Sequence, residues 1–332
     1  MKEEQIRDFI LYIFNEDKYK NNGEYSYVIQ IFINTLKSLL PSEDIVGTRV
    51  DYNRFEKEMK LWYYYKNGQN LCIENSIYVA DENIYWNGID NSVYVRLSPI
   101  VFANESWEIA RDEILKYVLF TTGNIQTILQ SLLVSKLLFL IICNECKCEI
   151  GDLKEEIISF SQKEFLEKYN SYFMVSLVNY PGNFSIEFER SRIDIINLLN
   201  GFSTSKYGVL NESIEVLKGK NCADSMNLFS KGLCFLLRGG SRTSGKLEKN
   251  DLANNFFNYL IRLRKGRIDP KNLRIDEYIL PDIFKINEGE CFYHSLLNNS
   301  KVIKREENNN EIIVYVKTKI GVYKFKKSNG PR

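Results

Sequence analysis

A single histidine, His294, stands in a chain of 332 residues. Any serine–histidine or cysteine–histidine nucleophilic device would have to use it. It lies in the run Cys291-Phe292-Tyr293-His294-Ser295, near the C-terminus, and reads as a structural or surface residue rather than a base. Cys143, Cys146 and Cys148 form C-x-x-C-x-C, a spacing that opens some zinc and cluster sites. A fourth ligand would have to come from Cys72, Cys222, Cys234, Cys291 or His294, and none follows at a recognisable distance. Cys143 also ends an apolar run, where buried thiols are common. The sequence therefore assigns no metal ligands and no cofactor.

Phosphate chemistry is no better marked. There is no Walker loop and no G-x-G-x-x-G, and Gly239-Gly240 reads first as a helix cap followed by a turn. Arg262, Arg264, Lys265 and Arg267 close a helix, where cations suit the helix dipole without any nucleic acid. Lys324, Lys326 and Lys327 read as a solvated strand face.

Three separated segments, taken in order, resemble the ADP-ribosylglycohydrolase family of the dinitrogenase-reductase-activating type. Asn91-Ser92-Val93-Tyr94-Val95-Arg96-Leu97-Ser98-Pro99 keeps the Asn, Arg and Pro of its N-G-x-x-M-R-x-x-P run. Thr121-Thr122-Gly123-Asn124 is similar to its T-H-G-N turn before a buried helix. Gly239-Gly240-Ser241-Arg242-Thr243-Ser244 stands where the family carries G-G-D-x-D-T. The resemblance covers about residues 22 to 260 and implies an all-helical fold with a two-magnesium site.

The departures fall on the acids. Gly23-Glu24-Tyr25-Ser26 replaces a Thr-Asp-Asp-Thr segment, and Ser241 and Thr243 replace the late Asp pair. Magnesium takes oxygen ligands, carboxylates usually among them, and two adjacent dications need several anions. Glu24 alone remains acidic, Tyr25 puts a ring where a carboxylate is expected, and Arg242 adds a positive charge. The resemblance thus implies a degenerate member with no catalytic residue. Glu24, Asn91, Ser92, Arg96, Gly239, Gly240, Ser241 and Arg242 are its candidate ligand-binding residues, with backbone N–H groups cradling a diphosphate. The bland alternative is that Asn91 and Arg96 only tie a loop to the helical body.

The leading functional expectation is a protein that binds a partner protein, or an ADP-ribosyl or other nucleotide ligand. One rival is an active glycosidic-bond hydrolase with a relocated acid cluster drawn from Asp81, Glu82 and Asp90. The other is a pure interaction protein, such as an inhibitor, immunity factor or complex subunit.

These residues must be positioned by helices. Glycine (18) and proline (6) are scarce, so elements should be long and uninterrupted. Apolar spacing predicts helices over 2–16, 26–40, 52–65, 107–120, 125–143, 153–169, 187–200, 211–218, 222–238 and 248–264. Residues 66–90 read as a long polar loop, and 91–99 as a lead-in to the helix at 107. Alternation over 311–327 predicts a hairpin or two edge strands. The expected fold is mainly α, with residues 1–266 as a helical ADP-ribosylglycohydrolase-like domain and 267–332 as a small mixed or β module.

The 44 Lys and Arg residues against 43 Asp and Glu give no charge excess that would mark a dedicated nucleic-acid binder. The apolar stretch 128–143 is interrupted by polar residues and reads as a buried helix rather than a membrane span. With no export signal at the N-terminus, the seven cysteines are expected as reduced thiols of a cytoplasmic protein.

Overall fold

The computed structural model describes residues 2–42, 46–78, 81–143, 148–202, 204–241 and 248–328. It is mainly helical, with a small antiparallel sheet at the C-terminal end. The helices are built by local capping around one apolar core. Helix α1 (Lys2–Lys20) runs into a turn at Gly23, whose φ of +91° suits glycine. Ser26 then caps α2 (Tyr27–Lys37) by accepting the Val28 N–H at 3.2 Å. The buried Asp17 carboxylate takes both the N–H and the hydroxyl of Ser26, at 2.8 and 2.5 Å. This fixes the angle between the two helices.

A short hairpin follows, β1 (Leu39–Pro41) and β2 (Thr48–Val50), which the sequence reading did not expect. Asp51 caps α3 (Tyr52–Trp62). The stretch read as a long loop contains two short helices, α4 (Leu71–Tyr78) and α5 (Glu82–Asn87). Their polar residues hid a small apolar face, because Cys72, Ile73 and Ile77 are buried.

Residues read as a lead-in form α6 (Val93–Ala103), the most enclosed helix of the body, with every residue buried. Pro99 inside it removes one backbone donor, which normally ends a helix. Burial on all sides outweighs that lost bond: α6 packs against α2, α7 (Trp107–Thr121) and α8 (Ile125–Cys143). Helix α8 matches its expected bounds. By length and composition it could cross a membrane, and 83% of its apolar window is buried inside the protein.

The expected helix at 153–169 is two, α9 (Ile150–Ser159) and α10 (Gln162–Tyr169), because Ser161 starts a new cap. Helices α11 (Phe184–Leu199), α12 (Gly208–Leu217), α13 (Leu228–Leu237) and α14 (Asp251–Arg264) complete the body. One hydrophobic cluster runs through it from Ile6 to Leu263.

The tail folds into four antiparallel strands in sequential order rather than two: β3 (Cys291–His294), β4 (Asn298–Glu307), β5 (Glu311–Lys317) and β6 (Val322–Ser328). The buried face of this sheet holds Val302, Val314, Val316 and Phe325, packed on Ile283, Phe284 and Leu297. Leu61, in the last turn of α3, and Tyr64 and Tyr65, just after it, pack against that second core. The Lys326 N–H bonds the Tyr64 carbonyl at 2.7 Å, so the sheet is docked on the body.

Cysteine chemistry departs from expectation. Cys222 and Cys234 are joined by a disulfide that ties the loop before α13 to its interior. Cys72, Cys143, Cys148 and Cys291 are free, and Cys146 lies outside the described residues.

Candidate ligand cleft between the helical body and the sheet

The eight residues singled out in the sequence do not gather at one place. Asn91 is exposed, and its carbonyl accepts from Asn227 at 2.8 Å, at the start of α13. Gly239, Gly240 and Ser241 follow the other end of α13. The Gly239 N–H bonds the Leu236 carbonyl and the Gly240 N–H bonds that of Phe235, both at 3.0 Å. With φ of +95° and +60°, the two glycines make the paired-bond cap of a helix end. The Ser241 N–H and hydroxyl both go to the buried Asp8 carboxylate of α1, at 2.9 and 3.0 Å. A side chain at Gly240 would lie 2.3 Å from the same carboxylate. The ten residues of α13 put about 15 Å between its two ends. Asn91 and Ser241 therefore do not meet around a single ion or small group. Arg242 lies outside the described residues.

Ser92 and Arg96 belong to an interior network. The Asp90 carboxylate accepts the N–H and hydroxyl of Ser92, at 2.9 and 2.6 Å, and the Asn70 amide at 3.0 Å. Its second oxygen pairs with the Arg96 guanidinium, and both side chains are fully buried. Arg96 thus anchors the residues before α6 and has no open side toward solvent. The Thr121-Thr122-Gly123-Asn124 turn is likewise a cap. Asn124 accepts the Thr127 N–H at 3.0 Å, and Thr122 donates to the Tyr85 carbonyl at 3.0 Å.

The acids of the hydrolase alternative are each engaged by other partners. Asp81 caps α5, Glu82 accepts from Asn179 at 3.0 Å on the surface, and Asp90 is sealed against Arg96. Among the described residues no three His, Cys, Asp or Glu side chains cluster as a metal centre requires. His294 is buried; its Nδ1 accepts the Leu296 N–H at 3.1 Å, and burial lowers its pKa to about 4.

Glu24 is the one candidate that faces a cavity with convergent chemistry. A cleft of about 400 Å³ opens where the body meets β6. The body contributes Glu24, Tyr25, Asn34, Tyr64, Tyr65 and Phe256. The sheet contributes Tyr323, Lys324 and Lys326. The Tyr25 ring stands edge-on to Phe14, with centroids 5.4 Å apart, and its hydroxyl bonds Asn250. Tyr65 lies edge-on to Tyr323 at 5.0 Å and donates to the Asn34 carbonyl oxygen at 3.3 Å. Asn34 is 1% exposed, and its amide nitrogen has no hydrogen-bond partner.

Burial raises the pKa of Tyr25 and Tyr65, and lifts that of Tyr323 to about 12. All three phenols therefore keep their protons near neutrality, those of Tyr25 and Tyr65 being given to Asn250 and Asn34. Glu24 is the single carboxylate on the cleft wall among the described residues. The arrangement offers flat rings and three lysines, of which Lys66 is held by Glu74 at 2.6 Å, and lacks a pair of acids among the described residues. Sequence reasoning missed the cleft because its walls come from opposite ends of the chain. The one local signal was the tyrosine density of 63–65. No family model, no curated protein and no solved structure matches this chain.

Proposed function

We propose that this protein binds a ligand in the cleft between its helical body and its C-terminal sheet, without glycosidic chemistry. The proposed ligand class is nucleotide-like, an ADP-ribosyl group included: a flat ring system joined to an anionic end. Tyr25, Tyr64, Tyr323 and Phe256 suit the ring. Lys324 and Lys326 suit the anion. The observation that carries the reading is the Asn34 amide, a buried donor left without an acceptor. Such a group costs free energy until something accepts its proton, and a ring nitrogen or carbonyl of a ligand would do so.

The sequence resemblance to ADP-ribosylglycohydrolases enters this proposal only as a source for the ligand class; no solved structure matches the chain, and the residues that carried the resemblance do not converge on one pocket. The placement of Asn91 and Ser241 at opposite ends of α13 argues against a metal cluster shared between them. A two-carboxylate mechanism needs a facing pair of acids, and the cleft wall offers Glu24 alone among the described residues. The rival, a pure interaction subunit, draws on Tyr25, whose ring and hydroxyl are both fixed, by Phe14 and Asn250.

Calorimetric titration with ADP-ribose and with AMP tests the proposal, alongside an assay for ADP-ribose released from a modified protein with and without Mg²⁺. The expected result is saturable nucleotide binding, weakened about tenfold, or about 1.4 kcal/mol, by Asn34→Leu. Magnesium-dependent turnover would overturn the non-catalytic reading. Absence of binding to either nucleotide would favour the interaction subunit.

A further inference from the structure

The strand register assembles a basic face that no single stretch of sequence displays. Cross-strand partners in an antiparallel sheet project to the same side. Lys301 pairs with Lys317, which pairs with Val322; Lys304 pairs with Tyr315, which pairs with Lys324; Glu306 pairs with Ile313, which pairs with Lys326. These three rows lie on the side of the sheet opposite Val302, Val314, Val316 and Phe325, the apolar side that faces the second core. A bulge between Val302 and Lys304 restores Lys304 to the open side after Ile303. Lys301, Lys304, Lys317, Lys324 and Lys326 are all exposed.

Tyr315 sits at the centre of this face. The ammonium of Lys304 lies 5.7 Å from its ring centroid, and that of Lys324 lies 5.4 Å away on the neighbouring strand. Glu306 is the nearest counter-charge, bonded to Lys304 and to the Tyr315 hydroxyl, and Glu288 also acts on Lys304; Glu311 lies at the start of Tyr315's strand. Lys301, Lys317, Lys324 and Lys326 have no carboxylate partner within salt-bridge distance among the described residues. An uncompensated set of like charges on one face repels itself, and is relieved by a polyanion.

We propose that this open sheet face binds single-stranded nucleic acid, with the lysines contacting phosphates and Tyr315 stacking a base. Side chains two residues apart on a strand are about 7 Å apart, so successive rows can follow successive phosphates of an extended strand. A half-buried ring flanked by cations at the surface is the element that distinguishes single strands from other polyanions, because a duplex hides its base faces. A duplex also needs an element that enters a groove, and a flat sheet face offers none. This face shares Lys324 and Lys326 with the rim of the cleft, but Lys301, Lys304, Lys317 and Tyr315 do not line the cleft and carry the test.

The test is fluorescence anisotropy of the full chain with a labelled oligonucleotide of about twelve nucleotides. Duplex DNA, heparin and vesicles containing phosphatidylserine serve as competitors. Saturable binding should weaken roughly fifty-fold between 50 and 200 mM salt if about four phosphates are held. The triple variant Lys301→Gln, Lys304→Gln, Lys317→Gln should reduce affinity at least about tenfold and flatten the salt slope. Tyr315→Leu should weaken single-strand binding about tenfold and leave heparin binding unchanged. Thermal melts of both variants separate lost binding from lost folding, and calorimetry with AMP reads the cleft separately. No binding by folded protein would overturn the proposal. So would equal displacement by heparin and duplex with no effect of Tyr315→Leu, or a preference for vesicles.

Discussion

Lys326 gives its backbone N–H to the Tyr64 carbonyl at 2.7 Å, so the edge strand of the C-terminal sheet is paired by a turn of the helical body. An unpaired edge would expose a row of donors and acceptors. Here the turn after α3 covers part of it and sets Tyr64 edge-on to Phe284, with centroids 5.2 Å apart. Tyr65 meets Tyr323 and Phe325 at 5.0 and 5.6 Å. The cleft exists because these rings hold the two cores at a fixed distance.

Tyr65→Ala should therefore loosen the joint before it harms either core. The loss of two ring pairs and the buried ring area should cost about 3 kcal/mol. Urea unfolding followed by far-ultraviolet circular dichroism should change from one transition to two, the sheet melting first. A single transition with an unchanged midpoint would show that the joint does not depend on this ring.

His294 makes the same region acid-sensitive. Its pKa is lowered to about 4, first by burial and then by Lys37, against 6.5 in the unfolded chain. Lys37 is itself held by Glu58 at 2.6 Å. Between those two values the unfolded state binds more protons than the native state, so stability falls as the pH falls. The contribution is complete above about pH 6.5 and is lost progressively toward pH 4, by roughly 3 kcal/mol at most. Denaturation midpoints across that range should drop for the native protein and drop less for His294→Asn.

The sequence told the body well and the joint poorly, for physical reasons. Helix α8 was legible because its apolar residues cover all sides over nineteen positions. Helix α6 was not, because Pro99 signals a break and only burial on every side overrides it. Helices α4 and α5 are too short for a periodic pattern to stand out. Of the candidate residues, Ser92 and Arg96 fall in one network, Gly239 to Ser241 in another, and Glu24 in the cleft. No local pattern could sort them, because Asn34 meets the hairpin at Ile320–Lys326 only through the tertiary fold. The basic face was legible only in part: Lys324 and Lys326 read as a solvated strand face, whereas the pairing of Lys304 with Tyr315 depends on one bulge.

The Cys222–Cys234 bridge closes a loop spanning twelve residues. A closure of that size should stabilise the fold by about 3 kcal/mol through the unfolded chain. Thiol titration of the unfolded protein should find two more reactive groups after reduction than before it. The melting midpoint should fall on reduction, and the Cys222→Ser, Cys234→Ser protein should be indifferent to the reductant. Equal thiol counts with and without reduction would show that the bridge is not formed in solution.

The Asp90–Arg96 pair separates a structural role for Arg96 from a ligand-binding one. Both groups are fully buried, and Asp90 also holds Ser92 and Asn70. Removing one partner leaves a charge buried without compensation, so Asp90→Leu or Arg96→Leu alone should cost about 3–5 kcal/mol. Replacing both, as Asp90→Leu with Arg96→Leu, removes the stranded charge and should recover a large part of that loss. A double-mutant cycle by urea denaturation reads the coupling directly. The folded double variant should bind nucleotide in the cleft as the parent does, because Arg96 lies in the interior and not on the cleft wall. Loss of nucleotide binding with the fold intact would instead return Arg96 to the ligand.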